Sequence, residues 1–213
     1  MSCIVCNSNQ VESFVTKDEK IYWDCTNCLV KFLDKAFHID PITEKSRYLE
    51  HQNEIGDPAY LKFLSKLSKP LMAKLNSDDK GLDFGCGHGP ALAEMLKSDG
   101  YYIDLYDPFF YPNQDIFSKK YNFITCTETA EHFFNPNKEF ETLNNLLFPG
   151  GWLGIMTTFL TEDKQFENWY YRRDPTHVVF YSEKTFEIIA EQHNWQLEIP
   201  AKDIALFSKN SDT

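Results

Sequence analysis

Three groups of residues in this 213-residue chain have the types and spacing of reactive chemistry. Cys3, Cys6, Cys25 and Cys28 form the pattern C-x2-C-x18-C-x2-C. Two thiolates separated by two residues grip one edge of a metal tetrahedron from a single tight turn, and two such turns close a four-sulfur zinc site. With every position filled by protein, that zinc is expected to be structural; reduced thiols without metal are the alternative. The second group is Leu82-Asp83-Phe84-Gly85-Cys86-Gly87-His88-Gly89-Pro90, an apolar strand that ends in alternating glycines and enters a helix. Such glycines let a backbone turn sharply and approach a ligand, and the free N–H groups of the helix start suit a carboxylate. The spacing is G-x-G-x-G, not the G-x-G-x-x-G that cradles a dinucleotide pyrophosphate, which points away from NAD. Asp107 ends the next strand, where a carboxylate is suited to accept both hydroxyls of a ribose. The third group is Glu128, Glu131 and His132 after a further strand, joined by His177 at the end of Trp169-Tyr170-Tyr171-Arg172-Arg173-Asp174-Pro175-Thr176-His177. Either histidine is a candidate general base; the alternative for Glu131-His132 is to brace the loop by hydrogen bonds.

These residues need elements to hold them. Val11 to Thr16 and Ile21 to Trp23 read as strands about the turn 17–20, which brings the cysteine pairs together. The stretch from Asp34 to Asn53 is polar and irregular. Asp57-Pro58 then starts a helix carrying Tyr60, Leu64, Leu67, Leu71 and Leu75 on one face and ending near Asn76 to Asp79. Beyond it, strands at Gly81 to Phe84, Tyr101 to Tyr106, Tyr121 to Thr127 and Trp152 to Thr157 alternate with helices at Pro90 to Ser98, Asn137 to Leu147 and Glu183 to His193, the last capped by Ser182. That alternation predicts an α/β fold with a parallel sheet. Trp195 to Ile199 and Ile204 to Ser208 close it as an antiparallel hairpin. The expected organisation is a zinc ribbon over 1–33, a helical bridge over 34–77 and the α/β domain over 78–213.

Taken together, these motifs resemble the class I S-adenosylmethionine-dependent methyltransferases. Leu82 to Gly89 is similar to the first motif of that family, Asp107 to its ribose-binding acid, Thr125-Cys126-Thr127-Glu128-Thr129-Ala130-Glu131-His132 to its fourth motif, and Leu146-Leu147-Phe148-Pro149-Gly150-Gly151-Trp152 to the turn into its fifth strand. The resemblance implies a Rossmann-like sheet and a cofactor site lined by Phe84, Gly85, Gly87, Asp107 and Thr127. Only thirteen residues separate Asp107 from Tyr121, too few for a helix-strand unit. Pro108, Phe109 or Phe110 are therefore expected to complete the adenine pocket. Glu128-x-x-Glu131-His132 also resembles the acidic-histidine run that binds magnesium in ubiquinone-pathway O-methyltransferases, a second reading of those residues.

The Trp169 to His177 loop is long enough to serve as a substrate lid, with Tyr170 or Tyr171 stacking on an acceptor and Arg172 or Arg173 holding an anion. The alternative pairs an arginine with Asp174 and folds the aromatics into the core. Cys86 and Cys126 read as small buried residues. A formal charge of −11 repels a phosphate backbone, so nucleic acid is not an expected partner and a small-molecule acceptor is. No run approaches the roughly 18 apolar residues of a spanning helix, and the start lacks a secretory layout, which predicts a cytoplasmic protein without a membrane role. Oligomeric state is left open. A non-catalytic zinc-ribbon adaptor and a nicotinamide oxidoreductase are the rival functions.

Overall fold

A computed structural model describes residues 1–16, 18–50, 55–161 and 163–211. Position 17 of the first predicted turn and positions 51–54 of the polar stretch lie outside the described residues. The chain opens with three antiparallel strands, β1 (Val11–Val15), β2 (Ile21–Cys25) and β3 (Lys31–Leu33). Two helices follow, α1 (Pro41–Leu49) and α2 (Pro58–Met72). The main unit then runs β4 (Lys80–Phe84), α3 (Ala91–Ser98), β5 (Tyr102–Tyr106), β6 (Tyr121–Thr127), α4 (Pro136–Leu146), β7 (Leu147–Met156), β8 (Val179–Phe180), α5 (Glu183–His193), β9 (Trp195–Ala201) and β10 (Ile204–Lys209).

Six strands form one sheet in the order β5-β4-β6-β7-β10-β9. The first four are mutually parallel, and β10 pairs antiparallel with both β7 and β9, the expected closing hairpin. Alternate strand residues feed opposite faces. Phe123, Ile204 and Leu206 join Leu64, Leu67 and Leu71 of α2 and Leu92 and Leu96 of α3 in one core; Ile124, Ala205 and Phe207 join Phe140 and Leu143 of α4 and Phe186 and Ile189 of α5 in the other. From β4 the chain crosses to β5, and from β6 to β7 in the other direction. The carboxyl ends of β4 and β6 therefore flank the crevice where open α/β sheets bind ligands.

The polar stretch from Asp34 is not irregular. Asp40 caps α1 by accepting from the Ile42 and Thr43 N–H groups, with Pro41 at the first helical position. Only Glu44 of α1 is buried, so it shows none of the apolar stripe that reveals α2. The second helix stops at Met72, short of the expected end. Between β5 and β6 there is no helix-strand unit, only a 3-10 turn at Gln114–Ser118. Strand β7 begins at Leu147, upstream of the predicted Trp152, and runs through Pro149-Gly150-Gly151, where Phe148 to Gly150 are exposed and can leave the ladder at little cost.

The ribbon is sewn into the main unit. Strand β8 adds to β3, giving a four-stranded sheet β1-β2-β3-β8. Ser182 caps α5 through a reciprocal bond with Thr185, whose hydroxyl also donates to the Cys28 carbonyl at 2.9 Å. Cys3, Cys25 and Cys28 share a core with Phe180 and Phe186.

Candidate active site

At the end of β4 the chain must reverse direction above the sheet, and Gly85 does so at φ +77° while its N–H donates to the Tyr106 carbonyl at 2.8 Å. A Cβ on Gly85 would stand 2.1 Å from the Thr129 methyl, so glycine is required there. Thr129 in turn donates from its hydroxyl to the Gly85 carbonyl at 2.9 Å, latching the β4 turn to the β6 turn. Gly87 differs: φ is +63°, but nothing stands within 4 Å of where its Cβ would be. Its backbone lies open to a cavity of about 1190 Å³. A single small ligand needs roughly 300–1,000 Å³, so this volume suits two molecules side by side.

All five predicted cofactor residues, Phe84, Gly85, Gly87, Asp107 and Thr127, line this cavity, as do Pro108, Phe109 and Phe110. Asp107 is buried, and its carboxylate is largely in use. Oδ1 accepts from the Phe109 and Phe110 N–H groups at 2.8 and 3.0 Å, and Oδ2 from Gly87 N–H at 3.0 Å. A carboxylate has about four acceptor positions, so one remains at Oδ2, room for one ribose hydroxyl rather than the expected two. The Thr127 hydroxyl is buried and has no hydrogen-bond partner.

Across the cavity stand His132 and His177, their rings 4.9 Å apart, with Glu131 between them in reach. His132 comes from the 3-10 turn Ala130–His132 after β6; His177 comes from the loop before β8. His132 Nδ1 donates to the Thr176 carbonyl at 2.9 Å and His177 Nδ1 to the Tyr171 carbonyl at 2.7 Å. Burial holds the His177 pKa below its ordinary value. Glu128 sits beside them in the left-handed region at φ +47° and is pushed up to about 9 by burial and by the nearby carboxylates of Glu131 and Asp203. Among the described residues, the metal-capable group of side chains here is Glu131, His132 and His177; Glu128 is not in it. The Glu128/Glu131/His132 set with magnesium is thus replaced by a different trio.

The loop that carries His177 is held rather than hanging. Tyr171 is buried, its hydroxyl shared with Thr157 and donated to Glu131. Arg172 is also buried and pairs with Asp18 of the ribbon and the Tyr22 hydroxyl, so it is not free for an anion. Asp174 does pair with an arginine, Arg47 of α1 at 3.1 Å. Tyr170 is 71% exposed and, with exposed Arg173, lines the cavity. Sequence reasoning missed Glu44, Arg47 and Tyr48, which α1 contributes to the wall. The Asp40-Pro41 start, the same signal as Asp57-Pro58, was the available clue.

Residues 49–198 match the family model described as a methyltransferase domain. The chain belongs to that family. No curated protein matches the sequence. Solved structures share the fold of this methyltransferase at low identity. An O-methyltransferase family protein from Burkholderia thailandensis is 13% identical, over 83% of this chain and 64% of that one, with a TM-score of 0.54. The N-methyltransferase NodS from Bradyrhizobium japonicum WM9, solved with S-adenosyl-L-homocysteine, is 13% identical over 78% and 97%, with a TM-score of 0.51. A SAM-dependent methyltransferase from Methanosarcina mazei is 14% identical over 68% and 99%, also at 0.51. The protein is a methyltransferase with the class I, Rossmann-like architecture.

The four ribbon thiols form a second cluster remote in sequence from this chemistry. All four sulfurs lie within 4.8 Å of one another, Cys3 to Cys28 at 3.7 Å and Cys6 to Cys25 at 3.6 Å. A tetrahedral zinc with bonds of about 2.3 Å sets its sulfurs about 3.8 Å apart, so the donor set and its spacing fit that ion. Cys126 is buried as expected, whereas Cys86 is half-buried at the cavity wall. No helix among the described residues is long and apolar enough to cross a membrane.

Proposed function

We propose that this methyltransferase transfers a methyl group from S-adenosylmethionine to a small-molecule acceptor in the cytoplasm. The observation that carries the reading is the cavity joining an open glycine backbone at Gly87 to the paired histidines. The vacant space over Gly87, the unpartnered Thr127 hydroxyl and the one acceptor position left on Asp107 suit an adenosyl amino acid. When bound, that cofactor supplies an electrophilic methyl carbon on a sulfonium. Phe84, Gly85 and Gly87 would lie along its methionine part, Asp107 would hold a ribose hydroxyl, and Pro108, Phe109 and Phe110 would border the adenine.

The chain's own work is then to align an acceptor and manage its proton. His132 and His177 are proposed as the groups facing the acceptor's reacting atom. Both rings are fixed by backbone carbonyls, and burial keeps His177 neutral, the state in which it can accept a proton. A zinc held by Cys3, Cys6, Cys25 and Cys28 would anchor the ribbon, and through Arg172, Val178 and Thr185 the ribbon holds the histidine loop. The division into a ribbon over 1–33, a helical bridge over 34–77 and a catalytic domain over 78–213 is retained as a proposal. The bridge supplies α1 to the cavity wall.

Asp107→Ala tests the cofactor placement. The variant is expected to bind S-adenosylhomocysteine roughly 10- to 150-fold more weakly, about 1.5–3 kcal/mol, because a charge-assisted bond is lost. Its melting temperature should fall as well, since three backbone N–H groups lose their acceptor. Unchanged affinity by calorimetry on the folded variant would remove Asp107 from the site.

A further inference from the structure

The trio opposite the cofactor residues has an electrostatic problem that a general-base role alone does not solve. A backbone carbonyl only accepts, so the bonds from His132 Nδ1 to Thr176 and from His177 Nδ1 to Tyr171 place a proton on each Nδ1. In the neutral ring it is then Nε2 that carries the lone pair. Glu131 is fully buried; Oε1 accepts from the Tyr171 hydroxyl at 2.5 Å, and Oε2 has no hydrogen-bond partner at all. One donor atom of each residue lies within 4.8 Å of those of the other two. Two imidazoles and a carboxylate with one buried, unpartnered oxygen thus meet at one place, and a cation seated among them would answer that oxygen and both rings. A proton can join two of these atoms, whereas a metal ion satisfies all three.

We propose that Glu131, His132 and His177 form a three-ligand site for a divalent transition-metal cation such as zinc, manganese or iron(II), with its open positions toward the cavity. The donor set argues for this class. Magnesium and calcium prefer oxygen ligands and water, while two imidazoles with one carboxylate suit borderline ions. The surroundings are those of metal ligands: both histidines are oriented through Nδ1 by carbonyls, and the carboxylate is oriented by a phenol that Thr157 holds in turn. Three protein ligands leave room for an acceptor oxygen, whose proton such a cation makes easier to remove. Only this last role rests on the methyltransferase reading; the metal site itself does not. Because His177 belongs to the loop before β8, the cation would also fasten that loop to the end of β6.

The test uses protein carrying one equivalent of zinc per chain, which the four thiolates take first and which leaves the trio empty, with cobalt(II) as the probe. Wild-type protein is expected to take up about one equivalent of cobalt with visible ligand-field bands and no near-ultraviolet thiolate charge transfer, which separates this site from the four cysteines. His132→Gln and His177→Gln should each weaken cobalt binding by more than the roughly 10- to 100-fold that loss of an outer-shell partner costs, and Tyr171→Phe by about 10-fold. Magnesium should not compete. Absence of the cobalt spectrum in folded wild-type protein, or its survival in both histidine variants, would overturn the proposal. Titrating S-adenosylhomocysteine into the same preparation keeps that failure distinct from failure of the methyltransferase reading.

Discussion

Gly85→Ala is expected to lose both stability and cofactor binding, whereas Gly87→Ala should lose binding with a smaller loss of stability. At Gly85 the left-handed backbone costs a side-chain-bearing residue roughly 1–2 kcal/mol, and the new methyl would stand 2.1 and 2.5 Å from the Thr129 methyl and hydroxyl. Relieving that overlap breaks the bond from Thr129 to the Gly85 carbonyl and shifts the turn that carries Glu131 and His132. The total, about 3–5 kcal/mol, is among the larger effects a single substitution produces. Thr129→Ala in the same chain removes the two closest atoms and should recover part of the stability, a coupling that a double-mutant cycle reads directly. At Gly87 the space is open, so only the backbone cost of about 1–2 kcal/mol remains. Its methyl, however, would project into the cavity, and S-adenosylhomocysteine affinity should fall by about 100-fold or more, the size of a buried steric conflict. Thermal melts and calorimetry separate the two cases. Wild-type affinity in Gly87→Ala would show that the cofactor does not pass over this glycine.

Loss of the zinc proposed at the four thiols is expected to be the second large effect. Structural zinc contributes an apparent 10–16 kcal/mol or so in small finger domains, comparable to the whole stability of about 5–15 kcal/mol of an ordinary domain. Cys25→Ser takes one corner from a cluster in which Cys25 lies 3.6 Å from Cys6 and Cys3 lies 3.7 Å from Cys28. The consequences should reach the loop that carries His177. Strand β8 pairs with β3, Leu33 N–H donates to the Val178 carbonyl at 2.8 Å, and Arg172 is held by Asp18 and Tyr22. Zinc content should drop below one per chain, and amide protection should fall across 11–33 and 170–180 while the β4–β6 region keeps most of its own. Full zinc content with unchanged protection would show that Cys25 is not a ligand and that the ribbon does not depend on the ion.

Elements whose signals are local were legible before the structure. Strand β6 and helix α5 have the expected limits because an apolar run and a Ser182 cap with its Thr185 partner are local features. The glycine turn was equally readable, since the reversal at Gly85, φ +77°, directly follows the strand it ends; the Thr129 side chain that forbids a Cβ there, 44 positions away, was not. What escaped reading depends on contacts far apart in the chain. Helix α1 buries only one residue of its own, so no periodicity betrays it, yet it supplies Arg47 and Tyr48 to the cavity. Arg172 finds Asp18 across 154 positions, and the two-residue strand β8 exists only because β3 lies beside it. His132 and His177 were each legible as candidates. Their meeting over Glu131 was not, because it is the fold that brings the end of β6 to the loop before β8.

The central claim is that the cavity at the ends of β4, β5 and β6 binds the adenosyl amino acid cofactor of methyl transfer. Calorimetric titration of zinc-replete protein with S-adenosylhomocysteine, beside NAD, tests it most directly. The predicted result is saturable binding with Kd on the order of micromolar for the homocysteine compound, and no heat from NAD. Binding of NAD alone, or no binding of S-adenosylhomocysteine by folded protein, would contradict it.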